Sequence, residues 1–385
     1  MTRLLPLFGI FLAGCATAPL DAAMVHDRIL TLDTHVDIPL DYMDAVDPGT
    51  VTDAQVDLPK MAEGGLDSAF FIVYTPQTSV TPEGIAEARE IAETRYNAID
   101  RLVRTYPDRV ALAKTADEVE AIVASGRIAA LLGMENAYPL GNSVDDIPMW
   151  AERGVRYVGL THFGANQFGD SSGTKDYETD AALNTHGGLS PLGRELVRSL
   201  NDHGILVDIS HAGDATARQA MELSRVPVIA SHSGVDGVLD HHRNLSDDLL
   251  DGLEANGGVV QLVALGAYVK AWTPEQQARL DALPDDMDDD ARDRAVAAIR
   301  ALSPVTVADY VDHIDYAVER IGIDHVGIAS DFDGGGGISG WEDAGKTRAV
   351  TAALLARGYT ENEVEKIWSG NVLRILRQAE RGATR

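Results

Sequence analysis

Short apolar runs bounded by turn or polar residues recur along this 385-residue chain, and they constrain its fold more than any other feature. They span residues 29–33, 68–73, 128–133, 157–160, 206–209, 228–230, 259–263 and 326–329. Amphipathic stretches such as 84–106, 191–203 and 246–256 lie between them. Strands alternating mostly with helices predict an α/β fold of the (β/α)8, TIM-barrel type, with parallel strands and functional groups just beyond the strand ends. The length suits one such barrel.

Several of these runs end on side chains able to bind a metal or move a proton. The first run leads into Asp33-Thr34-His35-Val36-Asp37. Alternation along a strand sends residues i and i+2 to one face, so His35 and Asp37 can address one ion. An imidazole with a carboxylate suits Zn2+ or a similar divalent cation. One His-x-Asp is weak, but the pattern recurs: Glu135 follows the run 129–134, His211 follows 205–210, His232 follows 227–231 and Asp331 follows 326–330. Such a set would be costly to desolvate without a cation to hold it. His35, Asp37, Glu135, His211 and His232 fit two ions better than one, with Glu135 as the bridge. A water shared by two ions ionises near neutral pH, which predicts a metal-dependent hydrolase.

Other chemistries lack their residues. Cys15 is the only cysteine, and neither a Gly-x-Ser-x-Gly elbow nor a Walker-type loop occurs. The 334–337 glycine run lacks the Lys-Ser/Thr of a phosphate loop and reads as a flexible loop. With 60 acidic against 32 basic residues and a net charge of −28, the chain repels phosphate backbones, so no nucleic-acid partner is expected.

The N-terminus reads as an export signal. Arg3 precedes an apolar run at 4–13 that is too short to span a bilayer as a helix. The sequence Leu12-Ala13-Gly14-Cys15 resembles a bacterial lipoprotein cleavage site. That assigns 1–14 to a signal peptide, Cys15 to lipidation and 15–25 to a tether. Without an Asp after Cys15, the expected location is the periplasmic face of an outer membrane. Residues 26–385 are expected to form one catalytic domain, with an acidic insertion around 274–304 between the last two strands.

The ordered series Asp33-Thr34-His35-Val36-Asp37, Gly133-Met134-Glu135-Asn136, Leu160-Thr161-His162, Asp208-Ile209-Ser210-His211, Ser231-His232-Ser233, Arg243-Asn244 and Asp331-Phe332-Asp333-Gly334 resembles the membrane (renal) dipeptidase family, the M19 metallopeptidases. The resemblance covers nearly all of the chain beyond residue 26. It implies a two-zinc barrel that hydrolyses unblocked dipeptides, often accepting a D-residue at the C-terminal position; other divalent metals remain open. By motif, His35 and Asp37 would bind one zinc, His211 and His232 the other, and Glu135 both. His162 would contact the scissile carbonyl or its oxyanion, Arg243 would receive the substrate carboxylate, and Asp331, ahead of Asp333, would shuttle the proton. Many relatives carry Asn-Phe-Tyr where this chain reads Val263-Ala264-Leu265, which predicts a different side-chain preference. Expected partners are dipeptides, a membrane through the lipid anchor and, as one option, a second copy in a homodimer. The alternatives are another amide, lactam or phosphoester substrate, and a non-catalytic lipoprotein on the same fold.

Overall fold

The computed structural model describes residues 21–173, 185–284 and 287–384; the signal segment 1–14, Cys15 and residues 16–20 lie outside the described residues. Among the described residues one parallel sheet contains β1 (Leu32–Val36), β2 (Ser68–Tyr74), β3 (Val110–Leu112), β4 (Ile128–Glu135), β5 (Val155–Gly159), β6 (Leu206–Asp208), β7 (Ile229–Ser233), β8 (Val259–Val263) and β9 (Val326–Ala329). Its order is β1-β2-β4-β5-β6-β7-β8-β9, with β3 as an extra strand on β4. A parallel bridge between Val36 and Phe332 brings the far end back to β1, where Asp37 N donates to Phe332 O (2.9 Å). The result is the (β/α)8 barrel that the alternation predicted.

The strands read as continuous apolar runs because helices cover one face and the barrel interior fills the other. β2 and β4, for example, are buried along nearly their whole length. The helices start where local chemistry allows. Thr81 Oγ1 accepts from Gly84 N ahead of the helix Pro82–Thr105, and Ser190 Oγ accepts from Gly193 N ahead of Pro191–Asp202. Each cap satisfies an orphan N–H, and the following proline has none to lose.

Two sequence expectations shift. The first strand starts at Leu32 rather than 29, because Thr31 is engaged sideways by Asp67 and Gly65 and strand pairing begins only at Leu32 with Ser68. β3 was not anticipated; three residues give too short a period to register. Between β8 and β9 the acidic segment contributes the helices Pro274–Leu280 and Asp289–Arg300, tied together by Gln276 Nε2 donating to Ile299 O (3.0 Å) and Arg300 O (3.1 Å).

Register is irregular at two places that matter. The β1–β2 ladder slips between Asp33 and Val36, and the β7–β8 ladder between Ala230 and Ser233. Such bulges re-aim side chains, and the slipped segments carry His35 and His232.

Candidate metal centre

Asp37, Glu135, His162, His211, His232 and Asp331, each at or just beyond a strand end, line one cavity of about 580 Å³. His35 and Arg243 are buried immediately behind its wall. All eight sequence-derived site residues of the barrel therefore converge on one mouth.

Glu135, the last residue of β4, sits at the middle. Its Oε2 lies 3.5 Å from His35 Nε2, whereas its Oε1 lies 3.1 Å from His211 Nε2 and 3.3 Å from His232 Nε2. The two oxygens thus address different imidazoles. Asp37 Oδ2 approaches His35 Nε2 at 3.6 Å, on the Oε2 side. His162 Nε2 stands 3.8 Å from Oε1, and Asp331 Oδ1 stands 3.8 Å from His35 Nε2.

Hydroxyl relays set two of the imidazole tautomers. His35 Nδ1–H donates to Tyr157 Oη (3.0 Å), whose own proton goes to Thr34 O (3.0 Å). His232 Nδ1–H donates to Ser231 Oγ (2.8 Å), whose proton goes to Asp208 Oδ2 (2.7 Å). In both rings Nε2 is the nitrogen left facing the centre. Tyr157 can reach His35 because β4 carries a glycine beside it: a Cβ on Gly133 would lie 2.3 Å from the Tyr157 ring.

Two buried aspartates pin the strand ends in the same manner. Asp33 Oδ1 accepts from His35 N (3.1 Å) and from Ser330 N (3.0 Å) across the barrel seam. Asp208 Oδ1 accepts from Ser210 N and from Ser231 N, both at 2.9 Å. Each carboxylate occupies backbone donors that a regular ladder would have paired. Sequence reasoning passed over Asp33, Asp208 and Tyr157; the available signal was an acid placed inside an otherwise apolar run.

The backbone is also unusual at the rim. His211 (φ 64°), Asp331 (φ 59°), Asp333 (φ 60°) and Asn136 (φ 74°) all adopt left-handed conformations that L-residues seldom use. The 334–337 glycines, expected as a flexible loop, are closely packed instead. A Cβ on Gly334 would lie 2.1 Å from Asp37 Oδ2, and one on Gly336 would lie 1.9 Å from Ser330 O.

The electrostatics match the geometry. Burial opposes charge on Glu135, but the imidazoles of His35, His211 and His232 hold its carboxyl well below the usual range. Burial, with Arg243 nearby, keeps His211 and His232 well below ordinary histidines, and His35 adds to this at His232. Burial lowers His162 to about 4, and it raises Asp331 to about 8 with Asp37 and Glu135 adding to the effect. In the metal-free centre at neutral pH His162 is a neutral imidazole and Asp331 holds a proton, which cations bound beside it would displace to leave an accepting carboxylate.

The donor set fits cations. His211 Nε2 and His232 Nε2 face each other at 3.0 Å, and His35 Nε2 and Asp37 Oδ1 are buried without a hydrogen-bond partner. Converging ring nitrogens and buried polar atoms without partners are unfavourable alone, and beside a cation these atoms can serve as ligands. Ligand atoms of His35, Asp37 and Glu135 lie within 4.8 Å of one another, as do those of Glu135, His162 and His211, and those of His35, His232 and Asp331.

The remaining candidates are distinct in their surroundings. Arg243 Nη1 donates to Ser233 Oγ (3.1 Å) and Nη2 to His232 O (3.0 Å), with Nη2 also 2.8 Å from His232 Nε2. Asp333 holds a loop, accepting from Gln55 N (2.8 Å) and Val56 N (3.2 Å). His241 and His242 stack on each other, their ring centroids 4.4 Å apart. Of Val263, Ala264 and Leu265, only Leu265 lines the cavity. Arg95 lines it too, and sequence reasoning missed it. Its signal was a charge at the helical spacing of Ala88, Ala92, Ile99 and Leu102, the buried face of its helix.

Known proteins resemble this chain over most of its length. The family model described as membrane dipeptidase, peptidase family M19, matches residues 20–385. The dipeptidase verJ of Clonostachys rogersoniana is 31% identical over 367 residues, covering 91% of this chain and 84% of that protein. The crystal structure of the probable dipeptidase PvdM from Pseudomonas aeruginosa superposes with a TM-score of 0.85 at 34% identity, covering 94% of this chain and 98% of that one. A metallo peptidase from Rhodobacter sphaeroides, liganded with a phosphinate mimic of the dipeptide L-Ala-D-Ala, gives a TM-score of 0.74 at 25% identity, covering 91% and 99% of the two chains.

Proposed function

The chain belongs to the membrane dipeptidase family, peptidase family M19, and from that premise we propose that it holds two divalent ions, zinc foremost, and cleaves the single peptide bond of small unblocked dipeptides, L-Xaa-D-Xaa included. That it is a metal-dependent dipeptidase follows from the family; the ion count, the metal and the stereochemistry are our reading. One observation carries it: the two oxygens of Glu135 face different imidazoles, His35 on one side and His211 with His232 on the other. His35 and Asp37 would hold one ion, His211 and His232 the second, and Glu135 both.

Bound ions would supply Lewis acidity and an activated water at neutral pH. The protein's own groups orient the rest. His162, neutral and fixed above Glu135, offers an N–H to the oxygen of the scissile carbonyl as negative charge develops there. Asp331, at the cavity wall beside His35, takes the proton of the attacking water and returns it to the leaving amine. Arg243 offers a guanidinium to the substrate's C-terminal carboxylate. A cavity of about 580 Å³ has room for a dipeptide.

Zinc-loaded protein assayed on L-Xaa-L-Xaa and L-Xaa-D-Xaa dipeptides, beside lactams and phosphoesters, tests the reading. Turnover confined to free dipeptides with about two metals per chain is expected. Turnover of lactam or phosphoester alone, or one metal per chain at full activity, would overturn it. Export and anchoring through Cys15 belong to the same proposal and rest on Leu12-Ala13-Gly14-Cys15. Lipid labelling of the intact chain that is lost in Cys15→Ala is the expected result.

A further inference from the structure

Two arginines are buried beside the ligand cluster, and the proposed chemistry uses only Arg243. Arg95 projects from the helix Pro82–Thr105 and is only 9% exposed. It lines the cavity together with Asp37, Ile38 and Tyr74. Among the described residues its guanidinium makes one hydrogen bond, from Nη1 to the carbonyl of Ile38, and its Nε is buried without an acceptor. Its Cζ stands 5.1 Å from the Tyr74 ring centroid. A desolvated guanidinium with donors left unused is costly to keep in a fold. No ion pair within 4.0 Å compensates it among the described residues; Asp37 and Glu135 act on it only at longer range. For holding the helix alone, an apolar residue at this position would serve better.

We propose that Arg95, with Tyr74 behind it, forms a cationic subsite that takes an acidic side chain on the N-terminal residue of the dipeptide. The inference rests on the dipeptidase reading and names its substrate class. Position argues for the N-terminal residue. Arg243 stands against His232, where the C-terminal carboxylate is assigned, whereas Arg95 is bonded to the carbonyl of Ile38, the residue that follows Asp37. A dipeptide anchored at Arg243 with its carbonyl under His162 extends its first residue towards Asp37 and Arg95. The planar guanidinium matches a carboxylate and discriminates against the isosteric amide, which lacks the charge. Leu265 on the same wall offers no competing donor.

The decisive measurement is kcat/KM for Glu-Ala against Gln-Ala, in both C-terminal configurations, with the metal-loaded full chain. The wild type should favour the acid by roughly tenfold or more, mainly through KM. Arg95→Gln should bring that ratio near one, and Arg95→Lys should keep part of it. The ratio cancels any general loss of activity in the variants. A wild-type ratio at or below one, or an unchanged ratio in Arg95→Gln, would overturn the proposal. So would a variant that instead loses discrimination between Gln-Ala and its C-terminal amide, since Arg95 would then serve the main-chain carboxylate. Failure on every dipeptide would reject the dipeptidase reading itself, whereas turnover without acid preference would reject only the subsite.

Discussion

Tyr157 donates its hydroxyl proton to Thr34 O and so can only accept from His35 Nδ1, which fixes which nitrogen of His35 faces the cluster. The Tyr157 ring is wholly buried, and burial pushes its hydroxyl well above an ordinary tyrosine, so the proton stays in place. Replacing Tyr157 by Phe removes the relay with almost no change in volume. Metal affinity is expected to fall by about 10- to 100-fold, and the metal-free protein should lose roughly 1–3 kcal/mol of stability through the orphaned His35 N–H. Metal titration by calorimetry on both proteins is the check, and equal affinities would remove Tyr157 from the account.

Asp331→Asn separates a proton shuttle from a ligand. The neutral amide keeps the size of the side chain but cannot accept a proton, so kcat is expected to fall by roughly 10²- to 10⁴-fold with metal content unchanged. Elemental analysis beside the kinetics decides. Loss of a metal would make Asp331 a ligand, as its proximity to His35 and His232 allows.

Arg243 leads to a prediction about substrate rather than protein. A dipeptide whose C-terminus is amidated loses the charge-assisted bonds and should show kcat/KM reduced by about 10- to 100-fold in the wild type. In Arg243→Ala the acid and the amide should be processed at similar, low rates. Equal kinetics on both substrates in the wild type would end that assignment.

His313 ties a helix to the barrel away from the centre. Its Nδ1 accepts from Val235 N (3.2 Å) and its Nε2 donates to Val269 O (2.9 Å). Only the first requires the neutral ring, since an imidazolium would still donate from Nε2 but could no longer accept at Nδ1. Burial lowers its pKa below the ordinary 6.5, although the Val269 carbonyl and Asp312 pull upwards. The unfolded chain therefore takes up the proton first as the solution is acidified. This contribution to stability is complete above pH 6.5 and declines as pH falls below it. Denaturant melts at pH 7.5 and 5.5 should differ less in His313→Gln than in the wild type; the same difference in both would exclude His313 as a source of acid sensitivity.

How far the centre could be read from sequence depended on the kind of residue. Glu135, His211 and His232 announce themselves because each follows an apolar run, and a parallel barrel delivers strand ends to one mouth. The helices were legible through the amphipathic stretches 84–106 and 191–203, although the caps Thr81 and Ser190, which set their starts, went unread. Asp33 and Asp208 were not, since their partners are backbone N–H groups on neighbouring strands, a register that no local pattern encodes. Tyr157 looked like another apolar strand residue, and its role emerges only when Gly133 is found to clear its path. Arg95 broke the apolar face of its helix, but nothing in the sequence reveals which cavity lies opposite.

The bridge between Val36 and Phe332, with Asp331 N donating to His35 O (3.1 Å), has a consequence in time as well as in space. Nearly the whole barrel is translated between His35 and Asp331, whose backbones this bond joins. A nascent chain lacks the seam that completes the centre until the segment after β9 has emerged. The groups gathered around Glu135 consequently acquire their full grip on cations only once that segment has docked. Metal capture then becomes a late event in the life of the molecule, decided by the ions available where folding ends rather than where translation begins.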